Sequence, residues 1–122
     1  MGDISQNFDR DEFRCKGMAA NVCDCGFATV DVELLDVLER VRANFNKPVI
    51  INSGCRCEHY NTHIKGAKNS MHMRGIAADI VVDDTPARDV QLFLKAIFPN
   101  KYGIGCYAAF THIDVRPYKA RW

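Results

Sequence analysis

Two short segments hold residue types suited to hydrolytic metal chemistry. The first is Ser70-Met71-His72-Met73-Arg74-Gly75-Ile76-Ala77-Ala78-Asp79, and the second is Phe110-Thr111-His112-Ile113-Asp114-Val115-Arg116. In the first, His72 falls in a polar loop and Asp79 in the strand that follows. Alternation along that strand puts Ala77, Asp79 and Val81 on one face and Ala78, Ile80 and Val82 on the other. Flanked by small and apolar residues, Asp79 is expected to be substantially buried, and a buried carboxylate needs a partner or a metal. Gly75, Ala77 and Ala78 leave room for loop and strand to approach closely. In the second segment, Phe110, His112, Asp114 and Arg116 point one way and Thr111, Ile113 and Val115 the other. If the two strands lie near each other, two imidazoles and two carboxylates converge.

His72, Asp79 and His112 with an open fourth position would make a catalytic site for one zinc ion. Such an ion acidifies a bound water and polarises a carbonyl. A nearby carboxylate can take the water's proton and pass it to a leaving amine. Asp114 is the candidate for that role because it need not be a ligand; the alternative is that it holds a ligand histidine from behind. Each residue taken singly has a plainer explanation. His72 could be a solvated loop side chain, Asp79 a carboxylate paired with an arginine, and His112 a satisfied strand histidine.

The elements that must position these residues are legible in part. Leu34, Leu35, Leu38, Val41 and Phe45 recur at helical spacing and predict a helix over about 31–45 with Asp31 as N-cap. Pro48 stops it, and Val49-Ile50-Ile51 reads as a short buried strand. Residues 52–76 carry no steady period and read as a long polar loop, of the kind that is usually functional in a compact domain. Ala77 to Val82 is the next strand. Thr85 is the expected cap of a second helix with Pro86 in its first position, and Val90, Phe93, Leu94 and Ile97 form its apolar face. Residues 102–107 and 110–115 read as a hairpin around Ala108-Ala109. The expected fold class is α+β, with two main helices on one face of a small antiparallel sheet. Residues 1–28 read as an irregular arm packed on the domain through Phe8, Phe13 and Phe27.

The chain has 122 residues, which suits a single domain over 1–122. At 48% hydrophobic and 25% charged it can build a real core, so a metal would serve chemistry more than rescue the fold. A net charge of +1 disfavours nucleic acid as a partner, since phosphate binding needs a basic stripe. No stretch approaches the roughly 20 apolar residues of a membrane helix, so membrane insertion is not expected. The first residues show no basic and apolar leader; the chain is expected to be made in the cytoplasm, unless a leader has been removed. A monomer is expected. Six cysteines stand at 15, 23, 25, 55, 57 and 106. Without a visible signal peptide, free thiols are the default over disulfides. Cys23-Asp24-Cys25 and Cys55-Arg56-Cys57 could form an all-thiolate metal site, but structural zinc sites usually space paired cysteines by two to four residues. His59 and His63 read as solvated, and Lys65, Lys68 and Arg74 either attract carboxylate-bearing peptides or are a solvated loop.

Ser70-x-His72-x-x-Gly75-x-Ala77-x-Asp79 resembles the signature of the zinc D-alanyl-D-alanine carboxypeptidase family. That family includes vancomycin-resistance dipeptidases and many phage endolysins, and shares its fold with the Hedgehog signalling domain. Ser53-Gly54-Cys55-Arg56 resembles the family's Ser-Gly-Tyr-Arg element and Asn61 its downstream Asn. Gly103-Ile104-Gly105-Cys106-Tyr107 with Phe110 to Asp114, and the ending Arg121-Trp122, are similar to the short single-domain branch. The resemblance runs from about Phe8 to Trp122. It implies that His72, Asp79 and His112 bind zinc, that Arg56 contacts the substrate carboxylate or a developing oxyanion, and that Ser70 orients substrate or loop. Two departures stand out: Ala109 occupies the place where several branches carry a catalytic acid, and Cys55 replaces the Tyr.

The resemblance implies hydrolysis of a peptidoglycan stem peptide, at a terminal D-alanyl-D-alanine bond or an internal one. A phage or prophage lysis enzyme that reaches the cell wall or periplasm after release fits a chain with no visible leader; a bacterial housekeeping peptidase is the rival origin. The alternatives are a zinc-containing binding module without catalysis, which Ala109 keeps open, and a phage structural component of the same fold.

Overall fold

The computed structural model describes residues 2–122. After the arm come α1 (Val32–Phe45), β1 (Val49–Ser53), α2 (Glu58–His63), β2 (Ala77–Val82), α3 (Ala87–Ile97), β3 (Gly103–Cys106), β4 (Thr111–Asp114) and β5 (Ala120–Arg121). Single 3-10 turns lie at Arg10–Phe13 and Met71–Arg74. The class is α+β, as the patterning predicts.

Local chemistry explains the helix ends. Asp31 Oδ1 accepts from the Glu33 amide at 2.7 Å and opens α1, and Asn46 closes it in the left-handed region at φ 51°. At α3 the expectation is off by one residue. Pro86 itself is the cap, with no side-chain bond to the helix, while the Thr85 hydroxyl donates to the Asp83 carbonyl at 2.9 Å.

The five strands run in the order β1-β2-β4-β3-β5. All neighbours are antiparallel except β3 and β5, which are parallel. This fifth strand is not in the sequence-based expectation, and it makes the sheet mixed at one edge. α1 and α3 cover one face. Leu34, Leu38, Val41, Val90 and Leu94 are at most 1% exposed there and pack with Ile80, Ile104 and Ile113. Full burial of such a side chain contributes about 1.5–3 kcal/mol, so this layer is the main anchor of the sheet.

The arm closes one end of the core. Phe8 and Phe13 are buried with ring centroids 6.0 Å apart, and Phe27 packs at the edge. Glu39 of α1 holds the arm, accepting from Ser5 Oγ at 2.7 Å and from the Asn7 amide at 2.8 Å. The Cys55 amide donates to the Phe13 carbonyl at 2.8 Å, and a Cβ on Gly54 would sit 2.8 Å from Phe13 Cα, so arm and loop touch backbone to backbone. The segment 52–76, expected as one irregular loop, contains α2 and the second 3-10 turn. Among the described residues no helix is long and apolar enough to cross a membrane.

Candidate functional site

The sheet face away from the helices carries the polar residues. β2 and β4 pair so that Asp79 stands opposite His112 and Ala77 opposite Asp114. Small Gly105 and Gly103 occupy the matching positions of β3. His72 arrives from the Met71–Arg74 turn, where Ser70 Oγ accepts from the His72 amide at 3.2 Å. Gly75 ends that turn at φ 72°, and a Cβ there would lie 2.5 Å from the Thr29 carbonyl oxygen. The Arg56 amide donates to the His72 carbonyl at 3.0 Å and ties the two loop segments together.

The three side chains meet. Asp79 Oδ1 is 3.2 Å from His72 Nε2 and 2.9 Å from His112 Nδ1. One donor atom from each residue lies within 4.8 Å of the others. Behind the rings, His72 Nδ1 is 2.7 Å from the Gly54 carbonyl oxygen, and His112 Nε2 is 2.7 Å from Asp114 Oδ2. A carbonyl and a carboxylate can only accept, so both rear nitrogens carry the proton and the neutral rings present bare nitrogens at the front. Three acceptors then face one another, an arrangement that requires a cation or an extra proton between them. Two nitrogens and a carboxylate oxygen, each held from behind, suit zinc.

The electrostatics agree. Burial of Asp79 acts to raise its pKa, but the contacts to His112 and His72 outweigh it and hold the carboxyl well below its usual range. Burial acts to lower the pKa of His112, and Asp114 and Asp79 outweigh that, so the imidazolium persists above its ordinary value.

Asp114 sits behind His112, on the side away from Asp79. It is fully buried, and its oxygens accept from His112 Nε2 and from Arg116 Nη2 and Nε, each at 2.7 Å, and from the Arg116 amide at 3.1 Å. Its carboxylate lies behind His112 and outside the cleft lining, the arrangement of the alternative in which Asp114 holds a ligand histidine from behind and is not itself the base. Burial would raise its pKa, and the Arg116 and His112 contacts hold it far down instead. Arg116 was not singled out from sequence, although the alternation that groups His112 with Asp114 places it on the same face.

A cleft of about 500 Å³ opens over the three residues. Arg56 and Ser70 line it, and Asp79 supplies its only carboxylate among the described residues. Arg56 donates to Ser53 Oγ at 3.1 Å, Asn61 Oδ1 at 3.3 Å and Asp79 Oδ2 at 3.3 Å, which fixes the guanidinium beside the site. Tyr107 and Phe110 stack at 4.4 Å on one wall. Trp122 donates to Tyr107 Oη at 3.0 Å, with its ring 5.1 Å from that of His112. This aromatic wall has no counterpart in the sequence-based site. Cys55 does not line the cleft; its thiol is turned to the Thr29 carbonyl at 3.0 Å, and burial pushes it up to about 11. His59 and His63 are exposed on α2, away from the cleft lining.

A family model described as Peptidase M15 matches residues 6–114, a span that takes in most of the arm, Arg56, Ser70, His72, Asp79, His112 and Asp114. No curated protein matches the chain.

Proposed function

Because the chain belongs to the peptidase M15 family, we propose that it is a zinc-dependent peptidase acting on peptidoglycan stem peptides. The observation that carries this reading is the meeting of His72 Nε2, His112 Nδ1 and an Asp79 carboxylate oxygen at the floor of a cleft. Zinc held by His72 Nε2, His112 Nδ1 and Asp79 would supply a Lewis acid and an acidified water.

The chain's own residues supply the rest. The Gly54 carbonyl and Asp114 fix the tautomer and orientation of the two rings. Arg56 has five N–H groups, of which Ser53, Asn61 and Asp79 take three, so its fork is fixed yet has donors left for a substrate carboxylate or an oxyanion. Ser70 orients the loop that delivers His72. The Tyr107–Phe110 wall and Trp122 offer apolar contact for a stem-peptide side chain. A D-alanyl-D-alanine terminus, with its free carboxylate, matches the Arg56 position. A lysis role at the cell wall, in a phage or prophage, is consistent with this substrate.

One observation favours a second reading. Asp79 is the only carboxylate lining the cleft among the described residues, and Ala109 lies in the hairpin turn with no acid to offer. A zinc-retaining binding module would look like this. The deciding experiment incubates zinc-loaded protein with stem pentapeptide and with purified cell walls, using His72→Ala as control. Cleavage by the wild type and none by the variant supports the peptidase. Binding of stem peptide with no cleavage under any zinc loading supports the module.

A further inference from the structure

Outside the cleft, four cysteines from separate stretches of chain meet at one point. Cys15 follows the first 3-10 turn, Cys23 and Cys25 lie further along the arm, and Cys57 caps α2. Their sulfurs all lie within 4.8 Å of one another. Cys15 Sγ is 3.9 Å from Cys23 Sγ and 3.9 Å from Cys57 Sγ, and Cys23 Sγ is 3.6 Å from Cys25 Sγ. None is bridged, and these distances are far from the roughly 2.0 Å of a disulfide. Four sulfurs placed tetrahedrally about 2.3 Å from a zinc ion are separated by about 3.8 Å. The three spacings fall on either side of that value.

The surroundings suit thiolates. The amide of Cys57 points at Cys15 Sγ at 3.5 Å, that of Tyr60 at Cys57 Sγ at 3.4 Å, and that of Phe27 at Cys25 Sγ at 3.4 Å. N–H donors aimed at sulfur stabilise its anionic form and orient it toward a metal. Gly26, at φ 63° with open space around it, lets the chain turn back directly after Cys25. This is how a pair with one intervening residue converges, against the spacing rule that made the cluster look improbable in the sequence. Cys55 and Cys106 stand apart from the four.

We infer that Cys15, Cys23, Cys25 and Cys57 bind one zinc ion in a closed tetrathiolate site, separate from the cleft. Four protein ligands leave no open position, so the ion is structural, and soft sulfur donors exclude magnesium and calcium. The site fastens the arm to the segment that carries Arg56, the residue immediately before Cys57. It stands whether or not the cleft cleaves peptides.

The test uses the whole chain. Zinc-edge X-ray absorption of the protein as purified is expected to show a sulfur shell at about 2.3 Å. Cobalt titration of reduced, metal-free protein is expected to give thiolate-to-cobalt charge-transfer absorption that saturates at one equivalent. His72, Asp79 and His112 have no sulfur and cannot produce it. Cys106→Ser is expected to leave that band unchanged, and Cys25→Ser to weaken cobalt binding at this site at least tenfold. An as-purified sample lacking the sulfur shell, or folded reduced protein giving no charge-transfer band at two equivalents of cobalt, overturns the assignment. Iron in place of zinc at the four sulfurs overturns the choice of metal.

Discussion

Replacing Asp114 by Asn separates the two roles a carboxylate could play beside His112. Asp114 Oδ2 accepts from both His112 Nε2 and Arg116 Nη2, and Oδ1 accepts from the Arg116 amide and Nε. An amide keeps one oxygen and gains an NH2. If the NH2 takes the place of Oδ2, it meets Arg116 Nη2 donor to donor and also meets His112 Nε2, which must become the acceptor. The ring proton then moves to Nδ1, the nitrogen that faces Asp79, and the lone pair needed for a metal is lost. In either orientation Arg116 loses its counter-charge, in a site where its side chain is only 14% exposed. Loss of such a supporting partner typically weakens metal binding about 10–100-fold, or about 1.4–2.7 kcal/mol. Breaking a buried ion pair costs about 3–5 kcal/mol of stability, and the lower end applies here because Arg116 borders the cleft. Zinc affinity by chelator competition, thermal unfolding, and kcat at saturating zinc read the three effects separately. The geometry predicts weak zinc binding, lower stability and a kcat largely restored by excess zinc. A catalytic base would instead lose about 10²–10⁴ in kcat with zinc still bound. Unchanged affinity together with such a loss would refute the positioning role.

Three further outcomes are expected. Arg56→Ala should lower kcat/KM by about 10²–10³ with zinc content unchanged, and a value near that of the wild type would remove Arg56 from substrate or oxyanion binding. Gly103→Ala should destabilise the fold by about 1–3 kcal/mol in a thermal melt, because its Cβ would meet Asp114 Oδ1 and Arg116 Nε at 2.6 Å; a melt unchanged from wild type would mean the strand can give way there. The raised pKa of His112 sets the signs of two pH dependences. In metal-free protein the charged ring contributes stability that is complete below its unfolded pKa and is lost as pH rises through the folded one. Zinc must displace that proton, so zinc affinity should instead fall as pH drops. Above the carboxylate range, from about pH 5 upward, unfolding of metal-free protein and zinc competition should therefore run in opposite directions; at lower pH the lowered pKa values of Asp79 and Asp114 make stability fall with pH as well.

The meeting of His72, Asp79 and His112 was legible in part from local pattern, and in part only from the resemblance of Ser70 to Asp79 to a family signature. Asp79 and His112 lie on strands with clean alternation, and His72 sits before a glycine that must turn the chain. What alternation cannot tell is what else shares the face. Asp114 looked available because Arg116, two residues on, was not weighed as its partner. α2 has six residues and no apolar stripe, so its period was invisible beside the polar loop. β5 has two residues, too few for a strand signal, and pairs in parallel with a strand well before it in the chain. The cysteine cluster was legible in three of its four members: Cys23, Cys25 and Cys57 stand in the two Cys-x-Cys pairs, but the fourth is Cys15 and not Cys55, and nothing local indicates that residue 15 folds onto them.

The facing of Asp79 and His112 across β2 and β4 also says which changes of chain length this architecture can absorb. Extra residues in the turn at 83–86 or at the hairpin tip lengthen a connection and leave the ladder in step. Deletion of Thr111, inside β4, does the opposite, because strand side chains alternate: Ile113 would inherit the place of His112, and a greasy side chain would be delivered to the floor of the cleft. Homologues of this domain should therefore differ freely in those two turns and keep a fixed count within β4, from Thr111 to Asp114.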